Sequence, residues 1–395
     1  MAITRFLKAN PDKKILIVVP TDYLQEQWFK DVVENKLLNN VTVRVINSVI
    51  KQEWNIDLLV LDELHTYAAD SFYTVFQKVK YKLILGLTGT LDRLDGKETL
   101  LKKKCPVVDE ITMEQAIDNE WLSVYKEYKV LLNVDLTEYN TANQEFLKYF
   151  AVFNFDFNLA MECVAGKKVA NKIVKQPHLV RYEYAKKQCQ LPQGHPQYTP
   201  TVQALNKEIT ASAYGWNRAL RARKDFVMNH DYKIEVAKKI LEARKDSKAI
   251  TFSATIKSAE KIGIGYTMHS GKTKKKRKLT KDEFDALDKG VLNTSKALDC
   301  GADIPGLNLG IILCNTSSSI QKRQRLGRVI RFAPGKKAEL FTLVLKGTME
   351  EQWFKKSTGK MDYTTISEEQ LERVLAGEEL ITRKRDDISG LDFTF

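Results

Sequence analysis

Two adjacent acids follow a short apolar run in the first part of the chain. Residues 58–61 are Leu-Leu-Val-Leu, Asp62 and Glu63 come directly after them, and His65 lies two positions further on. A strand that ends in an aspartate can hold a hydrated Mg²⁺ on the β and γ phosphates of a nucleotide, and the next glutamate can polarise an attacking water. His65 is then placed to sense the γ-phosphate. Acids after a strand also often only cap a helix, so this string alone does not establish the chemistry.

A second group of candidates lies in the C-terminal half of the chain, where Gln324, Arg328 and Arg331 stand in a segment of helical character. A helix that includes both arginines would place their guanidiniums on one face. If that face lines a cleft, they can stabilise charge on a transferring phosphoryl group, as an arginine finger does. A surface salt-bridge pair, worth under ~1 kcal/mol, is an equally weighted alternative for the same two residues.

The elements that must position these residues form two α/β blocks. Over the first ~120 residues, β-branched runs at 15–19, 41–46, 58–61 and 83–87 alternate with helical stretches, which is typical of a parallel sheet. A helix is predicted between the first two runs, over 23–38. The second block covers about 236–350, with strands predicted at 249–252, 309–313 and 340–344. Two such lobes predict a cleft between them, where ligands of these sheets usually bind.

The segment between the blocks differs in composition. Residues 131–235 are polar, rich in Lys, Gln, Asn and Tyr, and predicted to be mainly helical. Lysines, arginines and tyrosines between 167 and 187 could follow a nucleic-acid backbone and stack on bases, or could form a solvated helical face. After residue 350 we expect a helix and a loosely attached tail. The predicted domains are therefore 1–130, 131–235, 236–350 and 351–395.

Bulk composition narrows the class of protein. The net charge of +13 favours a polyanionic partner, of which nucleic acid is the commonest. Five scattered cysteines without a CxxC pair argue against a zinc site or a disulfide framework. No run approaches the ~18 apolar residues of a membrane helix, and the first residues lack the pattern of a signal peptide. We expect an intracellular monomer without a membrane partner, in the cytoplasm of a prokaryote or of a virus-infected cell, with the nucleus left open.

Six strings resemble the motifs of superfamily 2 helicases, in that family's order and spacing. They are similar to motif Ia at Pro20-Thr21, motif II of the DExH type at 62–65, motif III at 88–90, motif IV at 248–253, motif V at 294–303 and the QxxGRxxR of motif VI at 324–331. Together the similar regions cover about 15–130 and 236–345. Six motifs in order are specific, and they resemble most the XPB, RecG and phage UvsW-like branch.

The resemblance implies an α/β motor that uses ATP and Mg²⁺, built from two RecA-like parallel-sheet lobes with a helical insertion between them. By the same resemblance, Asp62 would hold Mg²⁺ through water, Glu63 would activate the attacking water, and Gln324, Arg328 and Arg331 would lie at the γ-phosphate. Gly301 and Asp303 would bind the nucleotide, and the residues that couple hydrolysis to movement would be His65, Thr88, Gly89 and Thr90. Thr21, Ser253 and Thr294 would contact phosphates of the nucleic acid. Such phosphate contacts are independent of sequence and supply most of the affinity.

The sequence departs from the family in its phosphate-binding loop. No GxxxxGK[ST] string occurs. Before Gly271-Lys272-Thr273, five residues separate Gly265 from Gly271 instead of four, and no apolar strand leads straight into the string. We interpret it as a turn of the second lobe. Residues 2–10 resemble the helix that follows the loop in relatives, so Met1 is expected to be an internal methionine of a longer chain. We then expect the chain as given to bind ATP poorly and not to hydrolyse it. We also expect the first sheet to lack the strand that leads into the loop, which would leave an open position beside residues 58–61.

These observations lead to one main expectation and two alternatives. The main one is an ATP-dependent DNA helicase or translocase that remodels forks or branches in repair, recombination or replication, with RNA not excluded. The first alternative is a nucleic-acid-binding module whose ATPase is dead. The second is the motor part of a restriction complex, against which the chain shows no nuclease-like cluster of acids.

Overall fold

A computed structural model describes residues 2–89, 91, 96–165, 198–295, 304–359 and 361–380, with side chains in the helix that begins at 198 described from residue 209. The chain forms two compact units. The larger comprises Met1–Leu132, Asp231–Val344 and Met349–Phe395, and the smaller Asn133–His230 with Leu345–Thr348. No helix within the described ranges combines the length and the apolar character that a bilayer crossing requires.

The first sheet of the larger unit has four parallel strands in the order β2-β1-β4-β6. Their bounds are β1 (Ile15–Val19), β2 (Val41–Val45), β4 (Leu58–Asp62) and β6 (Leu83–Leu87). β1 and the apolar part of β4 are buried throughout. Strands covered on both faces need apolar side chains at successive positions, which explains their continuous apolar runs. A separate parallel pair joins β3 (Trp54–Asn55) to β5 (Val79–Lys80).

Helices cover both faces of this sheet. They are α1 (Ala2–Ala9), α2 (Asp22–Glu34), α3 (Ile46–Val49), a 3₁₀ helix (Leu64–Ala68), α4 (Asp70–Tyr73), α5 (Val75–Lys78), α6 (Glu98–Lys104) and α7 (Met113–Asp118). α1 and α2 contribute Leu7 and Leu24 to one core, while the 3₁₀ helix and α6 contribute Tyr67 and Leu101 to the other. The helix predicted over 23–38 ends earlier, because Lys36 adopts a positive φ of 57° and α2 stops at Glu34.

The expected open position beside residues 58–61 is wrong. β4 is paired on both sides, with β1 on one side and β6 on the other. Among the described strands, the open edges of the first sheet are β2 and β6. The edge position of β6 accounts for the exposure of Leu83 (54 %) and Leu87 (36 %) in a wholly apolar strand.

The smaller unit is helical where it is described, in agreement with the helical character predicted for the middle segment. It contains α8 (Thr137–Phe150), a 3₁₀ helix (Ala151–Phe153), α9 (Phe157–Val164) and α10 (Tyr198–Asn229). Its core gathers around Trp216, which is fully buried and packs against Phe146, Phe150 and Phe157. The basic and aromatic stretch at 167–187 lies outside the described residues.

The second sheet of the larger unit has seven strands in the order β13-β7-β12-β11-β8-β10-β9. Their bounds are β7 (Val124–Leu132), β8 (Lys248–Ser253), β9 (Tyr266–His269), β10 (Gly290–Ser295), β11 (Leu309–Ile312), β12 (Lys337–Leu345) and β13 (Thr364–Ser367). The pairs of β8 with β10 and β11, of β10 with β9, of β11 with β12 and of β7 with β13 are parallel. The parallel pairs in both sheets confirm the predicted α/β class with two RecA-like lobes.

Six helices accompany this sheet in the described part of the chain. They are α11 (Asp231–Ala243), α12 (Ile256–Lys261), α13 (Lys274–Asp285), α14 (Ser319–Val329), α15 (Met349–Thr358) and α16 (Glu368–Leu375). Two boundaries differ from the sequence-based ones. β7 lies in the second sheet, although the limit at 130 assigned most of it to the first lobe, because its partner β13 lies far along the chain. The segment after 350 also contributes β13 to the sheet, where only a helix and a tail were expected.

Candidate active site

The carboxylate of Asp62 is held by two neutral donors at the end of β4. Its Oδ1 accepts a hydrogen bond from the backbone N–H of Glu63 at 3.0 Å. Its Oδ2 accepts one from the indole Nε1–H of Trp28, in α2, at 2.8 Å. The strand therefore places this acid at the carboxyl end of the parallel sheet, in a defined orientation. The sequence analysis did not single out Trp28, whose place in the helix predicted over 23–38 suggests no polar role.

Glu63 occupies a backbone conformation that a non-glycine residue seldom adopts, with φ 52° and ψ 54°. Such left-handed residues cluster where a site constrains the chain. Burial raises the pKa of its carboxyl, and the neighbouring charge of Asp62 raises that pKa further. A hydrogen bond from the Gln324 side chain and the charge of Arg328 act in the opposite direction. Residues of the two predicted motifs therefore meet at Glu63.

His65 connects the acids to the end of β6. The imidazole is 7 % exposed, and its Nδ1 lies 3.0 Å from Thr88 Oγ1 and 3.3 Å from Glu63 Oε2. β6 and the 3₁₀ helix pack closely here, since a Cβ at Gly86 would lie 2.5 Å from Cδ2 of Leu64, next to His65. The side of Gly89 on which a Cβ would lie is open. Thr90 lies outside the described residues.

α14 carries the second group of candidates. The helix begins after Ser318, whose Oγ accepts from the N–H of Gln321 at 3.2 Å, and it ends at Val329. Arg331 lies beyond this end, in an antiparallel bridge with Leu122. The premise that Arg328 and Arg331 share one helix face is therefore wrong, since the helix stops before the second arginine. Arg328 is 6 % exposed, and its charge lowers the pKa of Glu63. Arg331 instead interacts electrostatically with Tyr23 of α2.

Two further cations of α14 anchor the helix, and the sequence analysis missed both. Lys322 Nζ lies 2.6 Å from Glu127 Oε1 in a fully buried pair and 3.6 Å from the centre of the Phe354 ring. Arg325 donates from a terminal guanidinium nitrogen to the carbonyl of Cys314 at 2.8 Å. These contacts fix the helix against the second sheet. The sequence alone does not distinguish such anchors from Arg328.

The predicted contacts with nucleic-acid phosphates have different settings. Thr21 caps α2, and its half-buried Oγ1 accepts from the N–H of Leu24 at 3.3 Å. Ser253 and Thr294 are each 1 % exposed, at the ends of β8 and β10, and Thr294 Oγ1 donates to the carbonyl of Thr251 at 2.7 Å. The structure differs here from the expectation, because both hydroxyls point into the packed sheet and neither reaches the surface. The two predicted nucleotide-binding residues, Gly301 and Asp303, lie outside the described residues.

The Gly271-Lys272-Thr273 string follows a strand after all, because β9 ends at His269, two residues before it. Thr273 caps α13, with its hydroxyl accepting from the N–H of Lys276 at 3.3 Å. The ammonium of Lys272 donates to the carbonyl of Thr267 in β9. Its charge is therefore directed back to its own strand, which agrees with the interpretation of this string as a turn.

The donor set at the acids fits one particular kind of metal ion. Mg²⁺ is bound by one or two carboxylates together with waters and substrate phosphates. Asp62 supplies a carboxylate whose two oxygens each retain a further lone pair. Within the described ranges, no group of three or more His, Cys, Asp or Glu side chains is arranged to hold an ion. The site therefore fits Mg²⁺ that is shared with nucleotide phosphates, not an ion held by protein ligands alone.

Comparisons with known proteins show what the chain is similar to. Residues 232–333 match the helicase conserved C-terminal domain. The chain is 26 % identical over 361 residues to the DNA 3'-5' translocase XPB2 of Sulfurisphaera tokodaii, covering 85 % of this chain and 73 % of that protein. It is 25 % identical over 415 residues to a protein of Methanocaldococcus jannaschii with the provisional name ATP-dependent RNA helicase. That match covers 91 % of this chain and 52 % of the Methanocaldococcus protein. The structure of S. cerevisiae Dbp5 bound to RNA and ADP BeF3 shares the fold, with a TM-score of 0.54, 14 % identity, and coverage of 95 % and 84 %.

Proposed function

Since the chain belongs to the superfamily 2 helicases, we propose that it is an ATP-driven motor that moves along DNA and remodels forks or branched junctions. We place it in the branch of XPB, RecG and the phage UvsW-like proteins. One observation carries the proposal: the side chain of Gln324 and the charge of Arg328, both from α14, lie close enough to Glu63 to lower the pKa of that acid. An acid at the end of a strand in one sheet thus meets polar and cationic groups from a helix of the other.

The chemistry proposed for the site is hydrolysis of ATP, the substrate. Glu63 acts as the general base for the attacking water, and its raised pKa suits that task because it brings the carboxylate nearer to the working pH. Mg²⁺, when bound through water at Asp62, supplies charge neutralisation at the phosphates. Arg328 stabilises the negative charge that develops on the transferring phosphoryl group. Gln324 holds Glu63, and Arg331 is a second cation toward the γ-phosphate.

Coupling of hydrolysis to movement is assigned to the end of β6. The hydrogen bond between His65 and Thr88 connects the acids to the segment that continues with Gly89 and Thr90. A change at Glu63 alters the surroundings of His65 Nδ1, which lies 3.3 Å away. That change is then passed to the end of β6 through a direct contact.

DNA is the proposed track. The net charge of +13 supports a polyanionic partner. The Sulfurisphaera relative is named as a DNA translocase, and this chain covers 73 % of it. The Methanocaldococcus relative, of which the chain covers 52 %, is named as an RNA helicase. RNA is therefore the comparison arm of the test below.

A second function is favoured by one feature of the sequence. Residues 1–395 contain no GxxxxGK[ST] string, the usual cradle for the phosphates of ATP. In the second proposal the chain is a nucleic-acid-binding module without turnover. Under both proposals we expect nucleic-acid binding to weaken steeply with salt and to depend little on base sequence, since contacts with backbone phosphates supply the affinity. ATP turnover separates them.

The experiment measures ATP hydrolysis by the full-length natural protein, since residues 1–395 alone are expected to bind ATP poorly. The nucleic acids are single-stranded, forked and four-way DNA, and RNA of matched length. The motor proposal expects DNA to stimulate turnover several-fold and more than RNA does. Glu63→Gln should lower turnover by more than ~10²-fold, the scale of a general base, while DNA binding is retained. Glu53→Gln, the same change at an exposed site, is the matched control. DNA binding without hydrolysis under every condition would favour the binding module, and stimulation by RNA alone would overturn the choice of DNA.

A further inference from the structure

Trp28 makes a polar contact that its place in an amphipathic helix does not require. Its ring packs at the edge of the core that α2 shares with β1 and β4. Its indole Nε1–H donates to Asp62 Oδ2 at 2.8 Å, in the short range of hydrogen bonds to an ionised acceptor. The other oxygen of Asp62 accepts from the backbone of Glu63. The orientation of this carboxylate is thus set by one backbone group and one side chain.

We propose that Trp28 is a positioning residue for the metal-binding carboxylate and links it to the helix that begins at Thr21. This inference rests on the proposed function, in which Asp62 holds Mg²⁺ through water. The indole keeps Asp62 in one rotamer, so that the lone pairs left on its oxygens face the edge of the sheet. Without that bond, the carboxylate can rotate and binds the hydrated ion less well.

Tryptophan suits this role because of its charge and its stiffness. The indole N–H donates and cannot accept, so it can approach a carboxylate in one sense only. It carries no charge, whereas a lysine or arginine at the same distance would neutralise Asp62 and compete with a cation. The ring is rigid and partly buried, so the donor keeps its position at little entropic cost.

α2 connects this donor to the predicted nucleic-acid contact. Thr21 caps the helix, and Trp28 follows seven residues later, which is about two helical turns, so both lie on the same side of α2. Gln25, between them, donates from its side chain to the carbonyl of Val43 at 3.0 Å and holds the helix on the sheet. A displacement of the first turn of α2 by a bound phosphate backbone would therefore move the indole that holds Asp62.

The first measurement is the ¹⁵N–¹H spectrum of the indole groups in protein labelled at its five tryptophans. Trp28→Phe assigns the signal of Trp28. We expect that signal downfield of the one from Trp54, whose indole donates to the neutral carbonyl of Val49 at 3.1 Å. Asp62→Asn should shift the Trp28 signal and leave the Trp54 signal in place. An unchanged Trp28 signal in Asp62→Asn would overturn the inference, and this test needs neither metal nor turnover.

The second measurement is the Mg²⁺ dependence of DNA-stimulated hydrolysis. Trp28→Phe keeps a ring in the core, and it should raise the Mg²⁺ concentration for half-maximal rate about tenfold, the loss expected for a hydrogen bond to a charged group. The rate at saturating Mg²⁺ should change much less. Trp121→Phe, the same change at a site 57 % exposed, should alter neither value. A lowered maximal rate with unchanged Mg²⁺ dependence would contradict positioning.

The two measurements separate this inference from the function on which it rests. If Asp62→Asn shifts the Trp28 signal but no nucleic acid stimulates hydrolysis, the contact stands and the motor function fails. If hydrolysis is stimulated and Trp28→Phe leaves its Mg²⁺ dependence unchanged, the motor function stands and the role of Trp28 fails.

Discussion

The side chains of His65 and Thr88 are hydrogen-bonded to each other, with Nδ1 of the imidazole 3.0 Å from Oγ1 of the threonine. The same nitrogen lies 3.3 Å from Glu63 Oε2. One ring nitrogen therefore faces both the proposed general base and the residue that follows β6. Because an imidazole nitrogen either donates or accepts, its tautomer and charge decide which neighbour it serves. This geometry places a two-way contact between the acids and the predicted coupling segment.

Replacing Thr88 tests that contact. Thr88→Val preserves the shape of the side chain and removes the hydroxyl, so His65 loses its partner after β6. We expect the stimulation of hydrolysis by DNA to fall about fivefold, the scale of one neutral hydrogen bond, with a smaller change in the unstimulated rate. Steady-state hydrolysis with and without DNA measures both. Thr88→Ser retains the hydroxyl and should keep most of the stimulation. Wild-type stimulation in the valine variant would count against a coupling role.

Arg328 and Arg325 form a matched pair on one helix. Both are buried. The charge of Arg328 lowers the pKa of Glu63, whereas the guanidinium of Arg325 donates a hydrogen bond to the carbonyl of Cys314. Arg328→Ala should lower hydrolysis by up to ~10³-fold, the scale of an arginine finger, with little loss of folded protein. Arg325→Ala should instead lower the thermal midpoint and retain activity per folded molecule. Thermal unfolding and hydrolysis are measured on both variants, and the opposite assignment of the two effects would refute the proposed roles.

The fold could be predicted where a strand is buried on both faces. β1 and β4 read as continuous apolar runs and were located from the sequence. β13 reads Thr-Thr-Ile-Ser, with Ile366 as its fully buried residue, and short polar strands of this kind carry no periodic signal. Its membership in the second sheet depends on pairing with β7, more than 200 positions away in the chain. Strand order and the free edge at β6 likewise depend on such long-range pairing, which no local pattern specifies.

The candidate site could be predicted where a residue type and a strand end coincide. Asp62 and Glu63 follow an apolar strand, and that combination suggested the chemistry. Trp28 gave no such signal, because its spacing in α2 is that of a core residue and the direction of its N–H depends on packing. The same limit applies to α14, where Lys322 and Arg328 are both cations in the sequence, and only the buried partner Glu127 identifies the first as an anchor.

The pH dependence of hydrolysis should report the surroundings of Glu63. Burial and Asp62 raise its pKa above the ordinary value of 4.5. A general base works as the carboxylate, so activity should be lost as the pH falls through this raised pKa, above the range of an exposed glutamate. Gln324→Ala removes a bond that lowers the pKa, and the acid side of the profile should then move to higher pH. The measurement is kcat/KM against pH, and a midpoint that falls or stays in place in Gln324→Ala would contradict it.

The buried pair of Lys322 and Glu127 should dominate the stability of the second sheet around α14. Burial raises the pKa of Glu127 and lowers that of Lys322, while their mutual attraction opposes both shifts. Lys322→Met leaves an uncompensated buried carboxylate, so the free energy of unfolding should fall by about 3–5 kcal/mol. The double variant Lys322→Met/Glu127→Leu removes both charges and should recover most of that loss.

An exposed pair of similar length serves as the control for this prediction. Lys289 and Asp246 lie 2.9 Å apart with side chains 65 % and 75 % exposed, and Lys289→Met should cost under ~1 kcal/mol because water screens the pair. Denaturant unfolding of the four proteins, followed by tryptophan fluorescence, gives the comparison. Lys322→Met should reduce total hydrolysis only through the loss of folded protein, with activity per folded molecule retained as in Arg325→Ala. If Lys322→Met/Glu127→Leu is as unstable as Lys322→Met, the prediction is wrong, and the fold requires both charges at this position.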